Sequence, residues 1–123
     1  MIEGPSGSGK SALALQLIAL GARLIADDRT RLVLRGGAPW TLAPERHAGL
    51  IEARGVGLIR TSHISGGLLA LTVEMGTQET ERLPQRRSTM VLGCEIVQLQ
   101  RVDAPHFPSA ILAVLKGGIA QDA

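Results

Sequence analysis

The segment Gly4-Pro5-Ser6-Gly7-Ser8-Gly9-Lys10-Ser11 limits what this chain can be more than anything else in it. It fits G-x-x-x-x-G-K-[ST] and leads directly into KSALALQLIAL, a run of strong helix formers free of Pro and Gly. Gly21 is the expected stop of that helix. Glycines let successive backbone N–H groups point into one concavity, and the helix N-terminus behind them adds positive potential. In such a loop Lys10 reaches the β and γ phosphates of a nucleotide, and the Ser11 hydroxyl ligates Mg²⁺. Lysine is otherwise scarce, with Lys116 the only other one. A chance match in a chain of this size is on the order of a few in a thousand. The competing reading is a glycine- and serine-rich turn that caps a helix.

Composition narrows the class further. A chain of 123 residues falls within the usual domain size of about 50 to 200, so one domain over 1–123 is expected. With 45% hydrophobic and 20% charged residues it is too apolar for a disordered tail. No apolar run approaches the roughly 20 residues of a membrane helix, and Met1-Ile2-Glu3-Gly4 does not read as a signal peptide. Cys94 is the single cysteine, which excludes an internal disulfide and a cysteine-cluster zinc site and fits a reducing, cytoplasmic setting. The net charge is +2, there is no basic block, and Trp40 and Phe107 are the only aromatics, so general nucleic-acid binding is disfavoured.

Along the chain, Met1-Ile2-Glu3 reads as the end of a strand and Lys10–Leu20 as a helix, apolar nearly all round and so expected to be buried. Ala22–Ala26 reads as a short buried strand, Thr30–Leu34 as another, and Ala43–Ala48 as irregular. Leu50–Arg60 is a strand-like or loop segment broken by Gly55 and Gly57. Leu68–Met75 reads as a continuous apolar strand, Thr77–Ser88 as a charged linker, and Val91–Gln100 as a strand at a sheet edge, with Cys94 a small core residue. Pro108–Lys116 is a terminal helix, proline near its start and Gly117-Gly118 after its end. The order implies an α/β fold.

Two further segments carry candidate chemistry. Asp27-Asp28 closes the expected Ala22–Ala26 strand, and ligands of open α/β sheets bind at the carboxyl ends of strands. Adjacent side chains on a strand point oppositely, so one carboxylate would accept a hydroxyl proton and the other support metal-bound water. The alternative is a helix cap or turn. In Ile51-Glu52-Ala53-Arg54-Gly55-Val56-Gly57-Leu58-Ile59-Arg60, Glu52 and Arg54 share one side of an extended chain. An acidic metal ligand beside a guanidinium suits phosphoryl transfer, and a surface salt bridge beside a turn explains the same residues.

GPSGSGKSALALQLIALGARLIADDR followed by IEARGVGLIR resembles the catalytic, C-terminal domain of bacterial HPr kinase/phosphorylase, in its short alphaproteobacterial form, across residues 2–85. The resemblance implies a P-loop kinase domain, similar to the nucleotide-binding fold of phosphoenolpyruvate carboxykinases, with a mixed sheet and flanking helices. It implies ATP and Mg²⁺ as cofactors and an HPr-like phosphocarrier as protein partner, phosphorylated on serine and possessing a reverse phosphorolysis. It also implies a homo-oligomer. Gly4 to Ser11 would bind the nucleotide, Ser11 and Glu52 the metal, with Asp28 beside them. Asp27 would be the base, and Arg82, in Glu81-Arg82-Leu83, would stabilise the transferring phosphoryl group. Family strands and a histidine that precede the loop are expected to be missing, and none of His47, His63 or His106 stands in that histidine's position. Two other readings stay open: a small-molecule P-loop kinase, and a nucleotide-binding sensor with impaired catalysis.

Overall fold

The computed structural model describes residues 1–120. In chain order its elements are β1 (Ile2–Glu3), α1 (Lys10–Ala19), β2 (Arg31–Arg35), β3 (Ala38–Leu42), β4 (Leu50–Ala53) and β5 (Gly57–Arg60). There follow β6 (Gly66–Leu68), β7 (Leu71–Gln78), β8 (Arg87–Val91), β9 (Cys94–Arg101) and α2 (Phe107–Gly117). The chain divides into two compact units: Met1–Lys10 together with the chain from Ala70 onward, and Ser11–Leu69.

The first unit is built on a sheet of order β1-β7-β9-β8. β1 pairs parallel with β7, β7 parallel with β9, and β8 antiparallel with β9, so the sheet is mixed, as expected. β7 is buried on both faces: Leu71, Val73 and Met75 on one, Thr72 on the other. The Thr72 hydroxyl, wholly buried, turns to the Val97 carbonyl at 3.5 Å. Ile96 of β9 and Phe107, Pro108 and Ile111 of α2 are buried with them. α2 begins with Pro108 in its first turn, where a missing N–H costs nothing, and ends at Gly118, whose φ is 75°.

The second unit holds α1, the sheet β2-β3-β6 and the hairpin β4-β5. Gly36 and Gly37, at φ 57° and 76°, form the two-residue turn between β2 and β3. α1 closes where the Ala22 N–H reaches the Leu17 carbonyl at 3.0 Å, with Gly21 at φ 105°.

Five expectations need correction. Ala22–Ala26 is not a strand: Leu24 alone bridges His63, since one residue of this short run meets a partner before the chain bends at Asp27. The apolar run Leu68–Met75 is interrupted, because Leu69 and Ala70 carry the chain from one unit to the next and β7 starts only at Leu71. β9 is interior, not an edge, and the edge is β8, whose first two residues, Arg87 and Ser88, close the charged segment read as linker. Cys94 is half-buried at the start of β9. In α1 only Leu13 is buried, the exposed positions being Ser11, Ala12, Gln16 and Ala19, which carry little apolar area.

Candidate functional site

The Gly4–Lys10 part of the loop lies against the end of β7. Gly4 has φ 147°, and a Cβ there would meet Ser8 Oγ at 2.9 Å, Gly76 N at 3.2 Å and Met75 Cβ at 3.2 Å. Only glycine fits both that backbone and that space. Gly76 is held in turn by its N–H donating to Glu74 Oε1. The loop makes a turn in which the Ser8 N–H donates to the Pro5 carbonyl at 3.2 Å, and the Lys10 ammonium donates to the Gly4 carbonyl. This folds the cation back across its own loop. Ser8 Oγ is buried with no hydrogen-bond partner among the described residues. Gly7 and Gly9, at φ 80° and 94°, take the left-handed backbone that a phosphate-cradling loop requires. Gly4→Ala is expected to destabilise the protein by about 1–3 kcal/mol, measured by urea unfolding, because strain and collision arrive together.

In the second unit, Asp27 and Asp28 sit in a bend. The strand alternation expected to separate them is therefore absent: Asp28 has φ 67°, a left-handed conformation that aspartate tolerates better than most residues. Asp27 Oδ2 accepts the Glu52 N–H at 3.0 Å. That bond spans twenty-five residues and joins the two segments singled out in the sequence. β4 explains why Glu52 is available: Ile51 and Ala53 are buried, so the side chain between them faces outward. Arg54 follows at the exposed hairpin turn. Ser11, Asp28 and Glu52 offer hard oxygen donors, the set that Mg²⁺ takes with one or two carboxylates. Among the described residues no three His, Cys, Asp or Glu side chains converge as a metal cluster.

Arg82 lies in the first unit, exposed, in the connector between β7 and β8. Sequence reading missed the residue that organises this connector. Glu79 Oε1 accepts Arg87 Nε at 3.0 Å, and its Oε2 accepts the N–H groups of Thr80 and Glu81 at 3.1 and 3.2 Å. Nothing in the local pattern distinguishes Glu79 from its charged neighbours. Of the histidines, His63 bridges Leu24 through its backbone and His106 precedes the first turn of α2. No helix among the described residues is long and apolar enough to cross a membrane.

An HPr kinase/phosphorylase of Xylella fastidiosa is 42% identical over 130 aligned residues, covering 94% of this chain and 40% of its own length. An HPr kinase/phosphorylase of Streptococcus thermophilus is 42% identical over 67 residues, 54% of this chain and 22% of its own length. The chain therefore spans less than half the length of these curated relatives. The solved structure of the Hpr(Ser) kinase/phosphatase from Coxiella burnetii matches with a TM-score of 0.76 at 22% identity, over 94% of this chain and 79% of that one. At that identity the likeness is one of fold, a mixed sheet with helices. The family model of the HPr Serine kinase C-terminal domain matches residues 1–100, and on that match the chain belongs to this family.

Proposed function

We propose that this chain is the catalytic part of a kinase that uses Mg·ATP to phosphorylate a serine of an HPr-like phosphocarrier protein. The observation that carries the reading is the hydrogen bond from the Glu52 N–H to Asp27, which holds a carboxylate against the segment that would bring the metal ligand. Family membership supports the same activity. A P-loop domain related to the nucleotide-binding fold of phosphoenolpyruvate carboxykinases, a homo-oligomer and a cytoplasmic location belong to this reading.

Each residue then has a task. The backbone N–H groups of Gly4 to Gly9 and the Lys10 ammonium hold phosphate oxygens. Ser11 and Glu52, with Asp28 beside them, are the oxygen donors for Mg²⁺, which when bound offsets charge on the phosphates. Asp27 takes the proton of the acceptor serine. Its Oδ2 is occupied by the Glu52 N–H, which leaves Oδ1 for that proton. Arg82 stabilises negative charge on the transferring phosphoryl group. In the reverse phosphorolysis Asp27 would return the proton.

Mass spectrometry of HPr incubated with this chain and Mg·ATP tests the reading, and a phosphoserine on HPr is the expected product. ATP turnover with small-molecule acceptors but not with HPr would overturn it in favour of a metabolite kinase. Tight ATP binding with no acceptor phosphorylated would leave a nucleotide-binding sensor.

A further inference from the structure

The connector that carries Arg82 is shaped by one side chain. The strand before it ends at Gln78, and the Glu79 N–H still donates to the Arg101 carbonyl at 2.8 Å, so Glu79 is the last residue anchored to the sheet. Its carboxylate then collects four hydrogen bonds: Arg87 Nε at 3.0 Å, Arg87 Nη2 at 3.1 Å, Thr80 N–H at 3.1 Å and Glu81 N–H at 3.2 Å. The guanidinium fork is bidentate, the geometry that adds direction as well as attraction. Arg87 is the first residue of β8, so the fork ties the two ends of the connector together. The two backbone N–H groups fix the turn immediately before Arg82. Leu83, beyond it, is 76% exposed, so apolar packing does not hold this stretch.

An exposed ion pair adds little to global stability, and the Arg87 side chain is 40% exposed. The Glu79 side chain, by contrast, is only 7% exposed, and both of its oxygens accept hydrogen bonds. What the arrangement supplies is shape. We propose that Glu79 is a positioning residue for phosphoryl transfer: its carboxylate, gripped by Arg87, sets the turn that presents Arg82. This rests on the reading of Arg82 as the residue that stabilises the transferring phosphoryl group.

The Arg87 hydrogen bonds, with the backbone N–H groups and the Arg87 charge, hold the Glu79 carboxyl below its ordinary value against the opposing effect of burial. Because the folded value is depressed, the clamp contributes fully above the ordinary carboxylate range and is lost as pH falls through the folded value. At neutral pH the clamp is intact.

The test compares Glu79→Gln, Arg87→Met, Arg82→Ala and the Glu79→Gln/Arg82→Ala double variant in the full chain, by steady-state phosphorylation of HPr. Glu79→Gln is expected to lower kcat by about 10- to 100-fold, the scale of a misplaced catalytic group, with KM for ATP changed less than about twofold. Arg87→Met, altered on an exposed side chain, is expected to do the same and carries the test if Glu79→Gln fails to fold. The double variant is expected to be no slower than Arg82→Ala alone. Limited trypsin digestion is expected to cut after Arg82 faster in both clamp variants. If Arg82→Ala leaves kcat unchanged, the reading of Arg82 fails and the proposal with it. If Arg82→Ala lowers kcat while the clamp variants do not, or if the losses in the double variant multiply, the positioning role alone is overturned.

Discussion

Lys10→Ala is expected to lower the rate of HPr phosphorylation by roughly 10²- to 10³-fold, the usual cost of removing one preorganised donor to a developing charge. The ammonium donates to the Gly4 carbonyl, across the mouth of the loop it belongs to. That contact is local, between residues six apart, and Lys10 is half-buried at the start of a helix whose buried residue is Leu13. The variant should therefore unfold at the temperature of the parent while losing turnover and weakening ATP binding. Thermal unfolding, nucleotide titration and phosphoserine formation, run on one preparation, separate these effects. A variant that keeps parental turnover would remove Lys10 from the reaction.

The larger loss is expected from Asp27→Asn. General-base catalysis contributes about 10²- to 10⁴-fold, and an amide cannot take a proton from serine. The asparagine oxygen still accepts the Glu52 N–H at the place where Asp27 Oδ2 does now, so the bend and β4 stay joined. ATP affinity should be unchanged, because the lost step follows binding. A fall in kcat with KM for ATP preserved is the expected signature. Equal losses in both would mean that Asp27 serves in nucleotide binding instead.

The sequence made some of this legible for identifiable reasons. The loop and α1 declare themselves through local chemistry: glycines, then helix formers, then Gly21. Asp27 and Glu52 stand out individually, and the structure joins them, although Ala22–Ala26, which reads as the strand leading to Asp27, forms only a single bridge. Partners distant in the chain were not legible. β9 reads as an edge because Glu95, Gln98 and Gln100 interrupt its apolar residues, yet it lies between β7 and β8. β3 hides behind Pro39, a residue that argues against strands, but Pro39 contributes its carbonyl to the Leu69 N–H at 2.9 Å. Apolar continuity from Leu68 to Met75 concealed the boundary between two units, since periodicity reports burial and not which unit a residue joins. Glu79 was invisible for a related reason: its worth lies in Arg87, which only the folded connector brings to it.

The pairing of β1 with β7 also has a consequence in time. Ile2 lies beside Val73, so this ladder joins residues about seventy positions apart, with all of Ser11–Leu69 between them in the chain. The hairpins β2-β3, β4-β5 and β8-β9 close over a few residues each. Closure entropy grows with the span, and such long-range parallel contacts are the slow ones to form. The glycine-rich loop Gly4–Lys10 begins directly after this slow seam, at the junction of Glu3 with Glu74. During refolding, backbone signals from the hairpins should recover first, and the capacity to bind ATP should be the last property to return.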